Sequence, residues 1–223
     1  MLIRLPAVLD ATQLGAAHEL IAGGRFTDGR SSAGKAARRV KLNEELALDP
    51  TRRSRLDNLV MGQLLQHAVF RSAAMPLKTA APYYARYSPG MAYGSHVDDP
   101  VMGQGDLYRS DVSVTIFLNA PQDYDGGELC IETEFGTQQV KLPAGDAVFY
   151  PSSSVHHVAE VTRGERLVAV SWIQSLVRSP EQRALLHTLN QAREHLLERA
   201  PDAPETTRVN HAYVNLVRMW SDV

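Results

Sequence analysis

The run Tyr87-Ser88-Pro89-Gly90-Met91-Ala92-Tyr93-Gly94-Ser95-His96-Val97-Asp98 ends in a histidine and an aspartate two positions apart. On an extended strand residues i and i+2 share a face, so His96 and Asp98 can approach one point while Val97 turns into the packing. Asp99 then points away from that face and reads as a solvated or turn carboxylate. A third group for the same point has to come from a neighbouring strand. His156 lies downstream, and Arg166 follows it ten residues later.

Two imidazoles and one carboxylate occupy one face of an octahedron and leave three positions open, an arrangement suited to non-haem Fe(II) holding a bidentate co-substrate and dioxygen. A closed structural zinc site would use four protein ligands, often thiolates. The chain has a single cysteine, Cys130. The His-x-Asp triplet is weak by itself, since chance supplies roughly 0.5 of them in a chain of this composition. Its surroundings therefore have to decide the reading.

Outward from the triplet, residues from about Pro82 to Ser175 read as short strands separated by turns. Val112, Val114, Ile116 and Leu118 alternate with Ser113, Thr115 and Phe117, as a strand with two different faces requires. Asp125-Gly126-Gly127, Pro143 with Gly145, and Arg163-Gly164-Glu165 supply turn chemistry. About eight such strands predict a double-sheet jelly roll with the metal in its open mouth. Helices flank it, giving an α+β chain. Asp10 and Gln13 precede an apolar face of Leu14, Ala17, Leu20 and Ile21 that stops at Gly23-Gly24. Asp49-Pro50 opens a second helix carrying Leu56, Leu59, Val60 and Leu64, and Gly29 to Lys41 between them reads as an exposed loop or mobile segment.

Past Trp172, Ser179, Pro180 and Gln182 form a capping set ahead of Leu185, Leu189, Ala192 and Leu196. After the Pro201-Asp202-Ala203-Pro204 break, Val209, Ala212, Tyr213, Leu216, Val217 and Trp220 mark another stripe. The expected division is a domain of residues 1–177, with its core about 80–175, and a helical appendage of 178–223 packed on the barrel or on a second subunit.

Composition narrows the function classes. With 44% hydrophobic and 22% charged residues, the 223-residue chain reads as a soluble globule with one sizeable core. A net charge of −2 gives no global attraction to nucleic acid or anionic lipid, and no apolar run approaches membrane-spanning length. Met1-Leu2-Ile3-Arg4-Leu5-Pro6 lacks the features of a secretory signal, and one cysteine fits a reducing cytoplasm. Lys35, Arg38, Arg39, Lys41, Arg52, Arg53 and Arg55 cluster 7 of the 23 basic residues, either as a solvated face or as a rim that attracts an anionic substrate.

Together with the run above, Tyr124-Asp125-Gly126-Gly127-Glu128-Leu129, Leu142-Pro143-Ala144-Gly145-Asp146 and Tyr150-Pro151-Ser152-Ser153-Ser154-Val155-His156 stand in a fixed order. In these motifs, from Ile3-Arg4-Leu5-Pro6 to the C-terminal helices, the chain resembles the bacterial PKHD-type hydroxylases, relatives of prolyl 4-hydroxylase among the Fe(II)/2-oxoglutarate dioxygenases. The resemblance makes His96, Asp98 and His156 the iron ligands and catalytic centre, and Arg166 the partner of 2-oxoglutarate. It also implies succinate and CO2 as co-products, help from L-ascorbate, and a substrate that is a prolyl or lysyl side chain or a small metabolite linked to iron uptake.

His156 and His157 point to opposite faces of a strand, so one of them is the ligand, and the resemblance selects His156. The planar fork of Arg166 suits a bidentate grip on a carboxylate, with Val168, Val170 and Trp172 on its strand face as an apolar wall. Two positions depart from related sequences: Glu160, where proline is usual, and Phe117, where animal prolyl hydroxylases tend to have a tyrosine that assists the co-substrate. Tyr87 and Tyr93 flank the approach to the metal, and Ser113 and Thr115 are within reach of a co-substrate from a facing strand. The rival reading is a non-catalytic jelly-roll sensor, which would not need both an intact triad and the arginine. A metal-dependent hydrolase would need a general base that the triad's neighbourhood lacks.

Overall fold

A computed structural model describes residues 1–103 and 105–223. The N-terminal third contains β1 (Ile3–Leu5), α1 (Ala11–Ala22), β2 (Arg25–Asp28), β3 (Lys41–Leu42), β4 (Glu44–Ala47), α2 (Pro50–Gln66) and α3 (Ala68–Ala74). Next come β5 (Pro76–Thr79), β6 (Tyr83–Tyr87), β7 (Ala92–His96), β8 (Val101–Met102), β9 (Tyr108–Arg109), β10 (Val112–Phe117) and β11 (Tyr124–Gly126). The strands end with β12 (Leu129–Thr133), β13 (Gly136–Val140), β14 (Ala147–Pro151), β15 (His156–Val158), β16 (Val161–Gly164) and β17 (Arg166–Ser175). Two helices, α4 (Pro180–Arg199) and α5 (Pro204–Trp220), complete the chain.

A large antiparallel sheet runs β1-β14-β10-β17-β6-β4-β2, with β5 beside β17, and a smaller one runs β13-β12-β15-β7-β3. Alternation along β10 explains how they stack. Val112, Val114 and Ile116 join a core shared with α1, α2 and α3, whereas Phe117 belongs to a second core. In β14, Ala147 and Phe149 face the helices while Val148 and Tyr150 face the other sheet. Leu129, Ile131, Val140 and Val158 of the small sheet close that inner core. Helices cover one face of the large sheet and the small sheet covers the other, which is the expected jelly roll with its buttress. Polar residues Ser113 and Thr115 are buried because they share the inner face with Phe117, where the site lies.

The N-terminal helices begin where the sequence signals them. Asp10 and Gln13 make a reciprocal capping box on α1, and Asp49 caps α2 with Pro50 in its first turn. Three expectations need correction. Gly29 to Lys41 is not simply an exposed loop: it contains two short 3-10 turns, Gly29 is buried against Asn43, and β3 pairs with β7. In α4 the buried positions are Arg183, Leu186 and His187, while Leu185 is 62% exposed. Arg183 turns inward to donate to the carbonyls of Val177 and Arg178, and His187 meets Ser72, so polar contacts set the face that α4 buries. Ser179 caps α4 by accepting from Gln182 N, but its own hydroxyl donates to Glu181 instead of completing a reciprocal box.

Candidate active site

Strand pairing brings the two histidines together. His156 on β15 sits directly opposite His96 on β7, and their ring centres are 4.3 Å apart. Each Nδ1 donates to the carbonyl two residues back, His96 to Gly94 at 2.8 Å and His156 to Ser154 at 3.0 Å. A carbonyl can only accept, so Nδ1 carries the proton and each Nε2 keeps its lone pair for the space between the rings. Asp98, just beyond β7, places Oδ1 3.9 Å from His96 Nε2 and 3.8 Å from His156 Nε2. These ligand atoms all lie within 4.8 Å of one another.

The surroundings favour metal ligation. Burial, reinforced by the neighbouring His156, holds the pKa of His96 down at about 4, so its ring is the neutral base a metal needs at pH 7. Tyr93 stacks on His96 at 3.8 Å and Tyr150 meets His156 edge-on at 5.2 Å, which fixes both rings. Asp98 Oδ2 accepts a 2.5 Å bond from Ser113 Oγ, so Ser113 serves the aspartate. His157 pairs with Cys130 on β12, away from the triad, in agreement with the alternation read from the sequence. A donor set of two imidazoles and one carboxylate fits a divalent iron with open positions.

One cavity of about 440 Å³ reaches His96, Asp98, His156 and Arg166. Arg166, the first residue of β17, is 1% exposed, and its guanidinium carbon lies 5.0 Å from the Tyr87 ring and 5.7 Å from the Phe117 ring. Among the described residues it makes no salt bridge to a carboxylate, and its Nε has no hydrogen-bond partner. A buried cation in that state calls for an anionic ligand. Among the described residues the buried Tyr124 hydroxyl, a neighbour of Arg166, likewise makes no hydrogen bond, and a side chain at Gly127 would come within 3.0 Å of both Tyr124 and the Arg166 stem. Gly127 has φ +68°, so the turn and the close approach both require glycine. Tyr124, which the sequence did not single out beyond its motif, lies beside the Arg166 stem at Gly127 and brings a hydroxyl where Phe117 has none.

Val170 and Trp172 line the same cavity with Tyr87, Tyr93 and Thr115, while Val168 packs in the inner core. Lys41 lines it too, but is buried and paired with Glu45 at 2.5 Å. The basic cluster is therefore not one continuous rim: Arg53 pairs with Asp57, and Arg38 bonds the Arg30 carbonyl.

Comparison with known proteins agrees with this geometry. Residues 82–174 match the model of the 2OG-Fe(II) oxygenase superfamily, and residues 181–222 match the PKHD-type hydroxylase C-terminal domain. A PKHD-type hydroxylase of Thioalkalivibrio sulfidiphilus is 55% identical over the whole of both chains, and one of Hyphomonas neptunium is 43% identical, also over both full lengths. A Pseudomonas putida prolyl-4-hydroxylase shares the fold with a TM-score of 0.51 at 22% identity, covering 78% of this chain and 92% of that one. The viral collagen prolyl hydroxylase of Paramecium Bursaria Chlorella virus-1 gives a TM-score of 0.55 at 14% identity, covering 78% and 96%. Full-length identity above half places this enzyme in the PKHD-type hydroxylase family of 2-oxoglutarate- and Fe(II)-dependent oxygenases, in keeping with a candidate metal centre and a buried arginine in one cavity.

Proposed function

We propose that His96, Asp98 and His156 hold Fe(II), that Arg166 grips the distal carboxylate of 2-oxoglutarate, and that the chain hydroxylates a C–H bond with succinate and CO2 as co-products. The observation that carries this reading is a fully buried arginine with no carboxylate partner among the described residues, in the same cavity as the triad. When bound, iron and 2-oxoglutarate supply oxidative decarboxylation coupled to hydroxylation. The protein supplies position. Nδ1 bonds to Gly94 and Ser154 aim both imidazoles, Ser113 orients Asp98, and the Tyr87 and Phe117 rings pack against the Arg166 guanidinium. Tyr150, Val158 and Leu129 help exclude water from the interior of the cavity.

The proposed substrate is a prolyl or lysyl side chain or a small metabolite linked to iron uptake. The apolar and aromatic wall of Tyr83, Tyr108 and Trp172 supports a substrate with an apolar stem. L-ascorbate is proposed as the reductant that restores Fe(II). A cytoplasmic setting is supported by the lone, buried Cys130, and among the described residues no helix is long and apolar enough to cross a membrane. The division into residues 1–177 and an appendage of 178–223 is proposed too, with the appendage as a surface for self-association. Its support is the family matches, which fall on either side of that boundary.

Anaerobic addition of Fe(II) and 2-oxoglutarate to the metal-free protein tests the core of this reading. A visible charge-transfer band that needs both additions, is lost in Asp98→Ala and is weakened in Arg166→Ala is the expected result. Its absence from folded, iron-loaded wild type would overturn the co-substrate site.

A further inference from the structure

Ser113 and Ser152 are both buried, at 1% and 2% exposure, in a jelly roll whose inner core is otherwise largely apolar. Ser113 Oγ lies 2.5 Å from Asp98 Oδ2 and 2.7 Å from Ser152 Oγ. A hydroxyl carries one proton, and a ligating carboxylate can only accept. Ser113 must therefore spend its proton on Asp98, and Ser152 must be the donor to Ser113. The result is a directed chain of two hydroxyls ending on the carboxylate oxygen that does not face the histidines. The other oxygen, Oδ1, is the one set 3.8–3.9 Å from both Nε2 atoms.

The sheet builds this relay from distant segments. Ser113 stands opposite Tyr150 on β14 and opposite Trp172 on β17, so two aromatic residues flank it. Ser152 follows the last residue of β14, and its N–H donates to the Asp111 carbonyl, which ties it to the residue before β10. Both serines are buried, and a bond aligned in a chain is strengthened by the one behind it.

We propose that Ser113 and Ser152 are positioning residues that make Asp98 a one-oxygen ligand: by occupying Oδ2 they prevent the carboxylate from chelating the metal through both oxygens. That keeps a coordination position open for the co-substrate or dioxygen. The inference rests on the reading of His96, Asp98 and His156 as the metal site.

The test uses the full chain as wild type, Ser113→Ala and Ser152→Ala, each shown to be folded by its near-ultraviolet circular dichroism. Mn(II) affinity is measured by electron paramagnetic resonance, and the anaerobic Fe(II)–2-oxoglutarate band is recorded. Ser113→Ala should weaken Mn(II) binding about 10–100-fold, the usual consequence of losing a bond to a ligand, and should shift the band because the aspartate changes its mode of binding. Ser152→Ala should give a smaller weakening of the same sign. Wild-type affinity and an unshifted band in Ser113→Ala would overturn the relay while leaving the metal site standing. Failure of the wild type to bind Mn(II) would overturn the metal site itself, and the relay with it.

Discussion

Arg166 shows most directly what a single residue contributes. Its fork lies against the Tyr87 and Phe117 rings, and among the described residues no carboxylate pairs with it. Arg166→Lys keeps the charge but loses the planar pair of donors, so 2-oxoglutarate affinity should fall by about tenfold or more, measured as the concentration needed to develop the anaerobic band. His96 gives a second prediction at this scale. Burial lowers its pKa from 6.5 to about 4, so the unfolded chain binds the proton more readily than the folded one. The stability that this burial of neutral His96 contributes to the metal-free protein is therefore fully present above pH 6.5 and is lost as pH falls through 6.5 to about 4. Thermal melts across that range should show the decline, and His96→Gln should flatten it. The closeness of His96 and Asp98 was legible because it needs only neighbours in sequence, although Asp98 lies just past the end of β7. The contact of Ser152 with Ser113 was not, since it depends on β14 lying beside β10, a pairing that no local pattern encodes.

Among the elements, the β11–β12 turn is the most exacting. Gly127→Ala would put a methyl group within 3.0 Å of Arg166, Tyr124 and Val161 at φ +68°, and should cost about 1–3 kcal/mol while reducing 2-oxoglutarate binding more than iron binding. Denaturant melts and the two titrations separate those effects. The glycine pair was readable as a turn, but its crowding against the arginine was not. Strand β10 was read correctly on both faces because one row packs on helices and the other on the inner core. Helix α4 was misread at Leu185 for the opposite reason: Arg183 and His187 are buried through specific hydrogen bonds, and a count of apolar residues cannot anticipate buried polar ones.

Across the whole molecule, the helix layer and the site sit on opposite faces of one sheet, so stability and chemistry can be perturbed separately. Phe149 packs edge-on against Phe70 of α3 at 5.2 Å on the helix face, while its neighbours Val148 and Tyr150 face the site side. Phe149→Ala should cost about 3–5 kcal/mol in denaturant melts, with metal and 2-oxoglutarate affinities near wild type in the fraction that stays folded. The jelly roll as a class was legible from the density of short strands and turns. The order of strands was not, because β1 pairs with β14 and β4 with β6 across stretches where only the finished barrel decides.

The uncompensated guanidinium has a consequence for how long the chain survives in a cell. Under the proposed assignment, the dicarboxylate binds the folded chain and not the unfolded one, so saturation at a hundred times its dissociation constant adds about 2.7 kcal/mol of stability. Proteases act on opened chains, whose population would shrink by about a hundredfold over the same interval. Turnover of the polypeptide would then track the supply of a central metabolite, slow when it is plentiful and fast when it is scarce, with no separate regulator.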